Sequence, residues 1–203
     1  MVNERRNFGT ENVNKDIQTA IRNTLKRFQD GYSKRALSSL PNFIDELISE
    51  ESDSLVVGTG DGEWCMGKEE IKELLQIDWE YWGDFILDID DAIISSYGDV
   101  AWVTTNAVLH KKIKYDTLYN NCINKVNTML SGEESSKDKL VHMLKTISGC
   151  LYEGNFEDEV IRPIRFTGVL IYKDGTWKFH NIHFSYPVAP PTDYRIINGM
   201  KVI

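Results

Sequence analysis

Cysteine is scarce in this chain, and long apolar runs are missing. The three cysteines, Cys65, Cys122 and Cys150, are odd in number and widely spaced. That pattern excludes a disulfide framework and fits reduced thiols in a cytoplasmic setting. No apolar run approaches the ~20 residues that span a bilayer, and the opening MVNERRNFGTENVNKD carries no apolar segment of a secretory signal. Basic side chains are outnumbered 23 to 31, for a formal net charge of -8. A general affinity for nucleic acid or for an anionic membrane is therefore not expected. Internal repeats and low-complexity tracts are absent too.

What is present is periodicity of two kinds. Ile17, Ile21, Leu25, Phe28 and Tyr32 recur at helical spacing, and a second, shorter helix is bent or restarted at Pro41. SLVVG reads as a strand, and KEEIKELLQIDWEYW as a third helix with Ile71, Leu74, Leu75, Trp79 and Trp82 along its apolar stripe. From residue 85 the period shortens to that of strands, with a turn at Tyr97-Gly98-Asp99. Residues 114–157 return to helical spacing in two blocks separated by SGEESS, which predicts a helical hairpin inserted between strands. Asp174-Gly175 then marks a two-residue hairpin turn. Residues 1–13 are expected to be a flexible arm. Residues 14–203 are expected to form one α+β domain with its helical insertion at about 114–157.

Gly62 to Lys68 matches G-x-x-x-x-G-K, the spacing of a phosphate-binding loop. The chemistry does not fit. Such a loop needs small residues so that its N–H groups can wrap phosphates, and Ser or Thr after the lysine to hold magnesium. Here the interior is Glu63, Trp64, Cys65 and Met66, and Glu69 follows the lysine. The stretch is better read as a turn that buries Trp64 and starts a helix near Gly67, with Glu69 and Glu70 favoured by the helix dipole. No nucleotide or other cofactor is expected.

The order of elements, the turn GEWCMGKEEIKELL, the strand start GDVAWVTT and the closing DGTWKFHNIHFS together resemble the SnoaL-like branch of the nuclear-transport-factor-two-like superfamily. The resemblance covers roughly residues 15–112 and 160–187; the insertion has no counterpart in the usual pattern. It implies three N-terminal helices packed on the concave face of a curved antiparallel sheet, a cystatin-like cone enclosing a pocket. It also implies homodimerisation through the convex face. Superfamily members include isomerases, cyclases, dehydratases and association domains, so the fold does not name an activity.

Strict strand alternation, with the family's ketosteroid isomerase as the guide, sorts the faces. Lys178, His180, Ile182 and Phe184 fall on the pocket side, joined across the last hairpin by Arg165 and Thr167. The same guide points Trp102, Thr104, Asn106, Val108 and His110 inward. The expected ligand-binding set is thus Trp64, Trp102, Asn106, His110, Arg165, Thr167, His180 and Phe184, with Trp64 also readable as core. The opposite set, Phe166, Tyr172, Trp177, Phe179 and His183, is expected to form the dimer interface, because a patch so apolar should not stay exposed. Asp88, Asp90 and Asp91 read as a solvated strand face, so no metal site is expected.

The isomerase carboxylates have no counterpart: their positions fall near Gly58 or Thr59, and near Arg165 or Thr167. His180 is then the candidate catalytic group. The leading reading is a homodimeric protein that binds an unidentified small molecule. The alternatives are an acid–base enzyme acting on a small apolar substrate, and an association module that takes a peptide or carboxylate through Arg165.

Overall fold

Asn14 opens the first helix by accepting the Asp16 N–H on its side-chain oxygen, and α1 then runs Lys15–Lys34. The computed structural model describes residues 13–60, 62–112, 115–153 and 159–187. All of the expected arm but Val13, which is buried, and the tail from residue 188 lie outside them. A 3-10 turn, Leu37–Ser39, leads into α2, Leu40–Leu47, with Pro41 in its first turn, where a missing N–H costs nothing. Strands β1, Leu55–Val57, and β2, Trp64–Met66, precede α3, Gly67–Tyr81. Then come β3, Asp84–Leu87, β4, Ile93–Tyr97, and β5, Val100–Lys112. The insertion supplies α4, Tyr115–Ser131, and α5, Ser136–Glu153. The chain closes on β6, Glu159–Lys173, and β7, Thr176–Ser185.

The described residues fall into two compact units: one runs to Val108 and resumes at Pro163, and the other is Leu109–Arg162. In the first, helices pack on one face of a curved sheet of order β2-β1-β7-β6-β5-β3, with β4 also on β5. The sheet is mixed rather than antiparallel, because β1 pairs with β7 in parallel. Asp174 and Gly175 both have positive φ, 51° and 80°, the type I′ geometry whose twist suits a hairpin. The segment read as one strand after residue 85 is broken into β3 and β4 by a turn. Arg22 of α1 holds that turn through the Ile89 carbonyl, and Thr105 donates to the Asp88 carbonyl at 2.6 Å.

Strict alternation fails on β7. Val169 pairs with Asn181, yet Leu170 pairs with Phe179, so His180 is an extra residue on that strand. A bulge of this kind moves every later side chain to the other face. Trp177 and Phe179 before it, and Ile182 and Phe184 after it, therefore all point to the helix-covered side and are buried. On β6 the inward set is Ile164, Phe166, Gly168 and Leu170; on β5 it is Ala101, Val103, Thr105, Ala107 and Leu109.

The core gathers around Phe28 of α1, which has no exposed surface. Its ring centroid lies 5.1–6.4 Å from those of Tyr32, Phe43, Phe85, Phe166, Phe179 and Phe184. Most of these pairs are tilted or edge-on, the arrangement that sets a positive ring edge against a negative face. The hydrophobic gain from hiding each such ring is about 2–3 kcal/mol.

A buried Tyr–Asp–Trp cluster as candidate functional site

Each polar group of the cluster is placed by a helix end. Arg35, the left-handed C-cap of α1 (φ 46°), reaches across to α3. Its guanidinium donates to the Trp82 carbonyl at 2.7 Å and pairs with Asp84 at 3.0 Å. That clamp holds the last turns of α1 and α3 side by side, and Tyr32 and Asp78 lie in those two turns. The Tyr32 hydroxyl donates to Asp78 Oδ2 at 2.8 Å. Tyr32 is 0 % exposed and Asp78 4 %.

The electrostatics follow from burial. Removing a carboxylate from water favours its neutral form, and the Asp78 carboxyl is pushed from its usual 3.8 to about 7. The hydrogen bond from Tyr32 opposes that rise, while the charge of Glu63 adds to it. Burial, then the charge and hydrogen bond of Asp78, raise Tyr32 well above the ordinary phenol value. Beside the pair, the Trp79 indole N–H is buried without a hydrogen-bond partner. Aromatic rings pack around it: Trp79 meets Phe43 at 5.1 Å and Tyr32 at 6.4 Å, and Trp82 meets Phe184 at 5.9 Å. A second feature of this unit is an open groove of about 550 Å³. It lies between α1, from Asp16 to Arg27, and the two hairpin turns at Gly98-Asp99 and Gly175-Thr176.

The face assignments made from alternation are corrected by this structure. Of the expected ligand set, Phe184 alone lines the helix-covered side. Trp102 is 45 % exposed, and Asn106, Arg165 and Thr167 also face away from the core. On β5 the buried alternate positions are the other ones, and on β7 the bulge at His180 displaces the register. Arg165 accordingly pairs with Ser185 and Thr167 with His183. His110 falls in the second unit.

His180 sits at the bulge with its Nε2 3.8 Å from Asp53, and its Nδ1 is buried without a partner. Trp64 is 67 % exposed instead of buried, because β2 pairs at the sheet edge with its side chain outward. The bulge at His180 also moves Phe166, Trp177 and Phe179 of the expected dimer set to the helix-covered side. They are core residues under α1 and α2, whereas Tyr172 and His183 are exposed. The outer face instead carries a row in which Thr167, His183, Val57 and Trp64 are successive strand neighbours.

The glycine-rich turn has its own explanation. The Glu63 carboxylate folds back over the loop and accepts the Gly60 N–H at 2.6 Å, taking the position a bound anion would need. A Cβ on Gly58 would come within 2.2 Å of that carboxylate. Lys68 is committed to Asp45 at 2.7 Å. Among the described residues no group of three His, Cys, Asp or Glu side chains converges as a metal site.

Tyr32 and Asp78 were missed as functional residues, although the signal was present. Asp78 interrupts the apolar stripe of α3, between Ile71, Leu75 and Trp82.

A sequence model of the SnoaL-like domain matches residues 21–143, more than half of the chain, and the chain belongs to that family. No curated protein is a significant sequence match. Among solved structures, the chain is similar to an NTF2-like superfamily protein from Salmonella enterica serovar Typhimurium. That match has a TM-score of 0.55 and 11% identity, covering 88% of this chain and 96% of that one. It is similar also to a cystatin-like protein of unknown function from Nostoc punctiforme (TM-score 0.52, 12% identity, 88% and 97% covered). A third is a candidate dehydratase of the NTF2-like family from Streptomyces avermitilis (TM-score 0.54, 12% identity, 86% and 99% covered). At such identities the likeness shows the fold.

Proposed function

We propose that this SnoaL-like protein binds a small, largely apolar molecule on the helix-covered side of its sheet, against Tyr32, Asp78 and Trp79. It does so as a homodimer joined through the outer sheet face, in a cytoplasmic setting. The observation that carries the reading is the buried Asp78–Tyr32 pair beside an unsatisfied indole N–H, packed among aromatic rings. A core built for stability alone has no use for these groups, since a buried unmade hydrogen bond costs about 1–3 kcal/mol. A ligand carbonyl or hydroxyl would recover that cost at Trp79, while its apolar body would stack on the rings.

An acid–base enzyme is the second reading, favoured by the position of Asp78. A carboxyl at about 7 is half protonated near neutral pH, where a general acid or base works best. The similarity to a candidate dehydratase is compatible with that chemistry. The association reading through Arg165 loses its pocket, because that side chain faces outward.

Native mass spectrometry of the purified protein is the first test. A co-purified small molecule retained by the wild type and lost from Trp79→Phe supports the reading. Undiminished retention by Trp79→Phe and by Asp78→Asn would overturn it, and loss on Arg27→Ala instead would move the site to the open groove.

A further inference from the structure

The helices of the second unit carry more apolar surface than their own pairing uses. Across the hairpin, the Cys122 thiol donates to the Thr146 carbonyl, the Thr146 hydroxyl to Met129 Sδ, the Cys150 thiol to the Leu118 carbonyl and Lys139 to the Leu130 carbonyl, which defines the seam between α4 and α5. Beside that seam each helix has another. On α4 it is Tyr119, Ile123, Val126 and Leu130; on α5 it is Leu140, Leu144, Ile147 and Leu151. Both have the 4-3-4 spacing of a heptad, and all but the half-buried Val126 are exposed, Leu144 to 70 % and Leu140 to 65 %. A helical hairpin needs one seam. Two adjacent seams per helix are the pattern of a helix with neighbours on two sides, as in a four-helix bundle.

We propose that the α4–α5 hairpin pairs with the same hairpin of a second copy of this chain, forming a two-fold symmetric four-helix bundle. The two helices match in length, 17 and 18 residues, so both seams can be covered along their whole run by an identical hairpin. The seam is grooved as well as apolar: a depression of about 400 Å³ lies between Tyr119, Ile123 and Val126 on one side and Ile147 and Leu151 on the other. A ridge of side chains from another helix fits such a groove.

The area is sufficient. Seven exposed seam side chains at on the order of 100 Å² each give roughly 1,400 Å² for the pair of copies, within the ~1,200–2,000 Å² of a stable specific interface. The contact is isologous and closes on itself. It uses residues of the hairpin alone and none of the outer sheet face.

The test compares full-length wild type, the double variant Ile123→Glu with Leu144→Glu, and the sheet-face variant Trp102→Glu by native mass spectrometry and light scattering. With a chain mass of 23.3 kDa, the expected result is a halved assembly mass for the hairpin variant, through self-association weakened more than about tenfold. Trp102→Glu must leave the hairpin contact in place. All five tryptophans lie outside α4 and α5, so an unchanged fluorescence spectrum of the Ile123→Glu, Leu144→Glu variant shows that its sheet unit is folded.

A second measurement uses the wild type alone. Amide-exchange protection of residues 115–153 should fall on dilution through the dissociation range. A wild type that is monomeric at tens of micromolar, an assembly mass untouched by the hairpin variant, or protection independent of concentration overturns the proposal.

Discussion

Replacing Asp78 with asparagine isolates the energetic cost of the buried carboxylate. In the unfolded chain this carboxyl releases its proton near 3.8; in the folded chain it holds it to about 7. Between those values the native state binds a proton that the unfolded state has lost. Stability therefore falls as pH rises through this window, and the loss is complete above about 7. At 1.36 kcal/mol per pH unit, the displacement corresponds to a ceiling of about 4 kcal/mol, a large part of a stability of about 5–15 kcal/mol. Asparagine cannot ionise, and its carbonyl can still accept the Tyr32 hydroxyl. Urea unfolding followed by tryptophan fluorescence reads the difference, since Trp79 adjoins the pair. At pH 5 the variant should already be more stable by about 2 kcal/mol, because the unfolded carboxyl loses its proton above 3.8. At pH 8 the variant should be more stable by up to about 4 kcal/mol, a midpoint higher by as much as ~2 M at an m-value of about 2 kcal/mol/M. The exposed carboxylates act elsewhere. Lys68 lowers Asp45 and Lys173 lowers Glu51, so their contribution is present above the usual carboxylate range and lost only as pH falls below it. A wild type that gains stability between pH 5 and 8, with Asp78→Asn following in parallel, would refute the reasoning.

Two other perturbations test the packing. Gly168→Ala would place a Cβ 2.9 Å from the Phe179 ring and 3.3 Å from Val103. Overpacking of that kind should cost about 2 kcal/mol, a Tm lower by about 5 °C in a calorimetric scan, and an unchanged Tm would show that the ring has room to move. Burial, with the neighbouring Cys122 thiol adding to it, pushes the Cys150 thiol up to about 11. At pH 8 its alkylation by iodoacetamide in the native protein should be on the order of 100-fold slower than in the urea-unfolded chain, as read by peptide mass; equal rates would contradict its burial.

Much of the fold was legible because it depends on period and turn chemistry. The stripe of α1, the helical insertion and the Asp174-Gly175 turn all have local causes in neighbouring residues. The faces of the sheet were not legible, because one extra residue decides them. Alternation sorts a strand only while the pairing stays in step, and the unpaired His180 exchanges the sides of everything after it. Nothing in WKFHNIHF announces the bulge: Trp177, Phe179, Ile182 and Phe184 share a face only because His180 and Asn181 are both spent between them. Trp64 misled for a related reason, since a tryptophan beside a glycine turn reads as buried unless the short edge strand is foreseen.

The helices hold the more useful lesson for the site, because their spacing needs no partner strand to interpret. Ile21, Leu25, Phe28 and Tyr32 on α1 repeat at 4-3-4, and so do Ile71, Leu75 and Asp78 on α3 with Trp82 just past its end. α1 packs on β3, β4 and β7 and α3 on β1 and β2, with α2 against both, and the polar member of each stripe meets the other at 2.8 Å. A tyrosine and an aspartate in stripes of this kind have no water to turn to, so their pairing could be anticipated from position alone. The seams on α4 and α5 show the same 4-3-4 spacing without the cover. A buried stripe with a polar member marks a site within the chain, and an uncovered stripe of the same spacing marks a surface that another helix must complete.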